Sequence, residues 1–444
     1  MIDMSAELVT ALLMGGILVG VLLGYPLAIS VGSVGFIVGL LLWGPGIIAD
    51  MYYTRMFNQI TNYTLLAVPF FVLMGVMLER TGVAEDLYSA LYLWFGGVPG
   101  GLAITTILIG TVMAACVGVI AASTMMLALV GIPAMLKRGY SKPLATGSVC
   151  AGGTLGILIP PSIMLVVYGP MANLSVGKLF FGAFLPGFLL SGLYLTYIIV
   201  ACVLNPKMGP PVPKEERNVP FVQKTMLLLK SLVPPLLIIL AVLGSIFFGI
   251  AAPTEAGAVG ALAATLLALA YRKFSFRALK EAALSTIKLS GMILLIASLA
   301  FAFVGVFIRA QCGGVVQNLL LGTPGGKWGV FVVVMFLLFI LGMFIDWIGI
   351  VFIMVPIITP VAAALGFDPL WFAMMVCVNL QMSFLTPPFA YAIFFVKAAC
   401  PPEFGVQTGD VIRGVIPFIV LIMIGLALCI AFPDIILVLP RLML

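Results

Sequence analysis

Cys150-Ala-Gly-Gly-Thr-Leu-Gly-Ile-Leu-Ile-Pro-Pro-Ser162 and Cys377-Val-Asn-Leu-Gln-Met-Ser-Phe-Leu-Thr-Pro-Pro-Phe389 are apolar stretches, each interrupted by a Pro-Pro pair. The second pair stands 227 residues after the first, about half the chain. Each proline lacks a backbone donor and clashes with the preceding turn, so a helix crossing lipid unwinds there. Unwound backbone survives at membrane depth only where protein or water covers it. Interrupted spans at corresponding positions in two halves point to a secondary transporter's binding site.

Composition agrees. The 444 residues are 63% hydrophobic and 8% charged, with mean hydropathy +1.29. Soluble domains carry roughly 25% charged residues, so the chain reads as an integral, all-α polytopic protein of the lipid bilayer. The longest polar stretch, Asn205 to Lys224, is too short to form a core. The N-terminus has two acids, no Lys or Arg and no small-residue cleavage site, so the first span is expected to be retained. Seven cysteines (116, 150, 202, 312, 377, 400, 429) form no CxxC pair, and histidine is absent. Neither a disulfide framework nor a His-based metal site or proton relay is indicated. The net charge of +6 reflects cytoplasmic loops rather than a nucleic-acid partner.

Apolar spans read at 8–24, 30–47, 62–78, 143–171, 178–204, 231–251, 256–271, 285–308, 369–398 and 411–433. Three cationic clusters mark the cytoplasmic side: Lys137/Arg138/Lys142, Lys207/Lys214/Arg217/Lys224/Lys230 and Arg272/Lys273/Arg277/Lys280/Lys288. That orientation puts 16 of the 21 Lys and Arg inside, as the positive-inside rule requires. Gly100–Val117 and Ala121–Leu136 are joined with no polar turn, and Val330–Ile345 and Trp347–Leu365 only by Asp346. A membrane-crossing pair needs a turn in water. Both regions therefore read as re-entrant hairpins, the first entering from the cytoplasm and the second from outside. Each half then holds three spans, a connector, a hairpin, a broken span and another span, in inverted orientation. Gly139-Tyr140 corresponds to Gly366-Phe367 at the same offset as the Pro-Pro pairs. The connector Glu79–Trp94 sets Val83, Leu87, Leu91 and Trp94 at helical spacing, which suits an interfacial helix or an ordinary loop helix.

Helix N-termini at the breaks suit a carboxylate, while unwound carbonyls and helix C-termini suit Na⁺. The first expected site is the turn Gly118–Ser123 facing Gly152, Gly153, Thr154 and the break Ile159-Pro160-Pro161-Ser162. The second is Gly342–Asp346 facing Asn379 and Ser383-Phe-Leu-Thr-Pro387. The expected sodium ligands are Gly118, Ser123, Gly152, Thr154, Pro160, Gly342, Asp346 and Thr386. The expected substrate contacts are Ser162, Asn379, Ser383 and Thr386. Asp346 has two roles open to it: lying near a cation, or capping the following helix. Glu255, after Thr254, reads as a helix-start cap. Arg309 and Lys327 read as interface anchors. No nucleophile–base pair, P-loop or nucleotide fingerprint occurs, so neither an enzyme nor an ATP-driven pump is expected and no organic cofactor is implied.

Gly156-Ile-Leu-Ile-Pro-Pro-Ser162, Ile132-Pro-Ala-Met135 with Arg138-Gly-Tyr140, Pro253-Thr-Glu-Ala-Gly257, Gly342-Met-Phe-Ile-Asp346 and Leu385-Thr-Pro-Pro388 follow one another along the chain. In that combination the sequence resembles the large membrane subunit of tripartite ATP-independent periplasmic (TRAP) transporters. The resemblance implies an elevator-type ion-transporter fold with Na⁺ sites at the two hairpin–broken-span junctions. It also implies a small four-helix membrane subunit, a periplasmic substrate-binding protein and a place in the bacterial inner membrane. The organisation it implies is scaffold helices and interfacial arm at 1–97, and hairpin 1 with its broken helix at 98–175. Further scaffold helices and the cytoplasmic loop take 176–310, hairpin 2 with its broken helix 311–400, and a C-terminal span 401–444. Many relatives carry serines at the first hairpin tip, where this chain has Val117-Gly-Val-Ile120, so backbone carbonyls carry more of any ligation there. The expected function is Na⁺-coupled import of a small carboxylate. The alternatives are a self-sufficient anion/sodium symporter and an ion channel.

Overall fold

The computed structural model describes residues 4–118, 120–213, 215, 219–388 and 390–443, with backbone alone at 116 and 117. Val119 of the first tip, Phe389, Lys214, Arg217 and the side chain of Cys116 lie outside the described residues. Among the described residues the chain is all helical, with no strand. The first half runs α1 (Ala6–Leu22), α2 (Leu27–Ile60), α3 (Ala67–Arg80), α4 (Val83–Phe95), α5 (Gly101–Val117), α6 (Ile120–Leu136), α7 (Lys142–Thr154), α8 (Ile163–Ala172) and α9 (Val176–Leu204). The second runs α10 (Phe221–Phe247), α11 (Pro253–Ala270), α12 (Phe276–Arg309), α13 (Cys312–Leu321), α14 (Gly326–Gly342), α15 (Trp347–Ala364), α16 (Pro369–Ser383), α17 (Tyr391–Ala399) and α18 (Thr408–Ala431), followed by α19 (Asp434–Arg441). Eight helices among the described residues are long and apolar enough to cross a membrane. The protein is a multi-pass membrane protein.

Several boundaries depart from the hydropathy reading, among them the start of α12 at Phe276 rather than 285. α2 continues past 47 to Ile60, because Gly44 at φ +79° redirects the helix instead of ending it. Tyr52 donates a 2.8 Å hydrogen bond back to the Gly32 carbonyl and so ties together the segments on either side of the bend. α10 begins at Phe221 rather than 231, so Lys224 and Lys230 ride on helical turns. Lysine is a good helix former and its stem covers apolar surface. α19 adds a short helix whose Ile436 and Leu437 are buried.

The two halves close their hairpins with the same turn. Gly139 and Gly366 both take positive φ, +77° and +72°. The next amides bond five residues back, Tyr140 to the Met135 carbonyl and Phe367 to the Ala362 carbonyl. This is a Schellman-type helix end, which glycine adopts without the strain of a Cβ. The residue after each glycine then anchors its hairpin base. Tyr140 Oη accepts from the Leu102 amide at 3.1 Å. Phe367 stacks on Trp371 (5.6 Å between ring centroids) and packs against Trp328 and Phe331 at the start of α14. Aromatic pairs of this kind add about 0.5–1.5 kcal/mol each beyond burial.

α4 is amphipathic as its spacing suggests: Val83, Leu87 and Leu91 are buried, with Glu85 and Asp86 in the first turn. Trp94 stays partly exposed and meets Phe221 edge-on at 5.4 Å. Arg309 lies 5.0 Å over the Trp43 ring, and Lys327 lies near Trp328 and Phe367, within cation–π range. Glu255 accepts from the Ala252 amide at 2.9 Å and so satisfies an orphan donor at the start of α11. Glu255→Ala is expected to lower stability by about 1 kcal/mol with uptake per folded protein unchanged. Thermal unfolding in detergent beside an uptake assay checks both halves of that statement.

Candidate transport site

α7 ends at Thr154, passes through a 3-10 turn at Leu155–Ile157, and α8 restarts only at Ile163. Pro160 and Pro161 supply no amide to continue the ladder, and the bond between them is cis. Ser162, in extended conformation, precedes α8 and donates its hydroxyl to the Ile157 carbonyl across the break. α16 ends at Ser383 and α17 restarts at Tyr391, with a second cis Pro387-Pro388 bond between them. Both stretches quoted at the outset are broken helices.

Each break is held by a hairpin. α5 and α6 fold back at Gly118, whose φ of +65° requires glycine. A Cβ on Gly118 would stand 3.5 Å from the Pro161 carbonyl oxygen and 3.4 Å from Ile163, so this tip sits at the start of α8. Further along the arms the contact is backbone to backbone: a Cβ on Gly110 would come within 2.7 Å of the Gly152 carbonyl oxygen. Ser123 Oγ lies 3.0 Å from the Gly153 carbonyl and 3.3 Å from that of Ile120. In the second half, Gly342 abuts Ser383, where a Cβ would be 2.5 Å from the serine side chain. Ser383 Oγ donates to the Phe339 carbonyl at 3.2 Å and Asn379 Nδ2 to that of Met335 at 2.9 Å. Such polar links between helices replace the hydrophobic drive that lipid does not supply.

The two junctions meet at one cavity of about 160 Å³. It is lined by the first residues of four helices: Ile120 and Ala121 of α6, Ile163 of α8, Trp347 and Ile348 of α15, and Tyr391 of α17. Asp346 stands beside them, and α12 closes one side with Leu289, Met292 and Ile293. A helix start presents unbonded N–H groups and a partial positive charge. Of the four, α8 starts without a side-chain cap, whereas the Ala392 amide of α17 bonds the Phe384 carbonyl at 3.3 Å, and the lining holds neither lysine nor arginine. Asp346 accepts from the Trp347 amide at 2.9 Å as the cap of α15.

This geometry has counterparts of known family. The family described as tripartite ATP-independent periplasmic transporter, DctM component, matches residues 14–435. The chain belongs to that family. It is 32% identical over 403 residues to the C4-dicarboxylate TRAP transporter large permease protein DctM of Pseudomonas aeruginosa, covering 90% of this chain and 92% of that one. It is 31% identical to the sialic acid TRAP transporter large permease protein SiaM of Vibrio cholerae, covering 88% and 89%. It is 30% identical to the isethionate TRAP transporter permease protein DctMQ of Oleidesulfovibrio alaskensis, covering 84% of this chain and 57% of that protein. Its fold is similar to that of the Alcanivorax borkumensis YdaH transporter, at TM-score 0.60 and 16% identity, over 86% of this chain and 88% of that one.

In this TRAP large permease the residues expected from sequence fall into three groups. Gly118, Ser123, Gly152, Pro160 and Ser162 gather at the first junction, and Gly342, Asn379 and Ser383 at the second. Asp346 alone of them lines the cavity. Thr154 and Thr386 turn their hydroxyls onto their own helices, donating to the Ala151 carbonyl at 3.0 Å and the Met382 carbonyl at 2.8 Å. A hydroxyl that donates to a carbonyl keeps its lone pairs free for a cation.

Sequence reasoning missed two buried groups. Thr124 Oγ1 has no hydrogen-bond partner among the described residues and sits against Gly153. Gln381, fully buried one turn before the second break, has neither amide atom paired among the described residues. Buried polar atoms are nearly always satisfied, so each fits an outside partner such as an ion or water. Gln381 lies inside the second of the two stretches quoted at the outset, and an amide amid apolar residues was the available signal. Among the described residues no group of three acids or thiols could hold a metal. Oxygen donors of the serine, threonine and carbonyl kind are what suits Na⁺. Gln381→Met is expected to leave the melting temperature in sodium-free buffer unchanged or raised, read by thermal unfolding.

Proposed function

We propose that the chain is the membrane-spanning carrier of a three-part importer that takes up a small organic acid with Na⁺ across the bacterial inner membrane. The supporting observation is the convergence of four helix starts on one cavity beside two hairpin–break junctions rich in hydroxyl and carbonyl oxygens. The helix starts would hold the carboxylate, and the junctions would hold sodium and link its binding to hairpin position. The two hairpins and broken helices would move as one body against the remaining helices, in an elevator motion. A periplasmic binding protein would deliver the acid, and a small four-helix membrane subunit would complete the membrane part. The family's being tripartite supports three components. The relatives named for C4-dicarboxylate and sialic acid support an acid as cargo.

The test is uptake into vesicles holding the permease and its small subunit. Uptake is expected to need both the binding protein and an inward sodium gradient. Replacing Na⁺ by K⁺ without loss of uptake would overturn the coupling. Transport that saturates without the binding protein would indicate a self-sufficient symporter, and flux without saturation a channel.

A further inference from the structure

α11 ends in the same turn that closes the two hairpins, with one difference. Its left-handed residue is Arg272, at φ +55°, where the hairpins have Gly139 and Gly366. The Lys273 amide bonds five residues back to the Ala268 carbonyl, as the Tyr140 and Phe367 amides do in the hairpins. A Cβ strains this conformation and glycine relieves it, so the turn itself does not call for arginine. Arg272 lines a cavity of about 310 Å³ between the start of α4, the first part of α10 and the end of α11. Lys230 and Lys273 line it too. Tyr271 Oη donates to the Lys230 carbonyl at 2.9 Å and so fixes α11 against α10.

None of these three cations has an ion pair or a side-chain hydrogen bond among the described residues. Arg80 and Arg277, by contrast, share Glu281, at 2.8 and 3.0 Å. Among the described residues Asp86 is the one acid in the lining. Glu85 approaches Lys273 over Gly82, where a Cβ would stand 3.6 Å from the carboxylate and 3.5 Å from the ammonium. Three cations against two acids leave an excess of positive charge. The cavity lies on the side that the cationic clusters mark as cytoplasmic. The helix faces leading from it are apolar and exposed: Leu237, two turns after Lys230 on α10, and Leu266 and Leu262, one and two turns before Ala270 on α11. Acyl chains along them would keep a phosphate at the cavity mouth. Basic pockets between membrane helices on this side suit anionic headgroups.

We propose that this cavity binds the phosphate of an anionic phospholipid headgroup, with Arg272, Lys230 and Lys273 as its contacts. The planar fork of Arg272 matches phosphate oxygens. The test is thermal unfolding of the purified permease in detergent with phosphatidylglycerol, phosphatidylcholine or inorganic phosphate. Phosphatidylglycerol is expected to raise the melting temperature at concentrations where the other two do not. Arg272→Gly is expected to leave the lipid-free melting temperature unchanged or raised, because the turn loses its strain. It is also expected to raise the half-saturating concentration of phosphatidylglycerol by about fivefold, as is Lys230→Gln. Arg277→Gln, whose cation Glu281 already holds, is expected to leave the lipid response unchanged. No rise with phosphatidylglycerol, or an equal rise with phosphatidylcholine, would overturn the site. So would Arg272→Gly and Lys230→Gln proteins that respond like the unaltered one, or an equal loss in Arg277→Gln. Inorganic phosphate acting as well as phosphatidylglycerol would overturn the lipid as the source of the phosphate.

Discussion

Gly153→Ala is expected to lower uptake by about a hundredfold while the protein still inserts and folds. At this position a Cβ would stand 2.1 Å from Thr124 Oγ1 and 2.8 Å from Thr124 Cα. The threonine oxygen could rotate away, but the backbone of α6 could not. Overpacking of this kind costs about 1–3 kcal/mol, which a large membrane protein survives. What it would not survive is the shift of the tip. The Ser123–Gly153 hydrogen bond at 3.0 Å lies beside the same contact, and a displacement near 1 Å at a working site costs about a hundredfold. Uptake per inserted protein, with the level of folded protein read by size-exclusion chromatography, separates the two effects. A Gly153→Ala protein that transports normally would mean that the hairpin–break junction is only packing.

Asp346→Asn is expected to raise the sodium concentration for half-maximal uptake by about tenfold, a change of about 1.4 kcal/mol, with little loss of stability. The cap explains the second half of that statement. Asparagine's carbonyl oxygen can accept from the Trp347 amide as the carboxylate does, and asparagine caps as well as aspartate. Asp346→Ala loses charge and cap together, so it should show the same sodium shift plus about 1 kcal/mol of destabilisation. The pair separates the two roles left open by the sequence. The structure establishes the capping role, and an unmoved sodium curve in both variants would leave it as the only one.

Much of this architecture was legible because proline and the absence of polar turns are local signals. Pro160-Pro161 and Pro387-Pro388 broke their helices, and the Asp346 turn folded as a hairpin, because nothing else in those residues could satisfy the backbone. The bend in α2 was harder. Gly44-Pro45 within an apolar run reads equally as an end or a turn, and only the packing against which Tyr52 reaches Gly32 decides between them. The convergence of both junctions on one cavity was not legible, since it depends on the tertiary path of four separate segments. Nor was the part played by Leu289, Met292 and Ile293. In a membrane protein, apolar residues that line a site look the same in sequence as those that face lipid.

That last trio has a mechanical consequence. The face of α12 turned toward the cavity carries no side-chain donor or acceptor at those three positions. Sliding the paired tips along it would break no side-chain hydrogen bond to them. It would shear only dispersion contacts, each worth about 0.1–0.2 kcal/mol and remade one turn further on. In the elevator motion proposed above, α12 would serve as a greased rail.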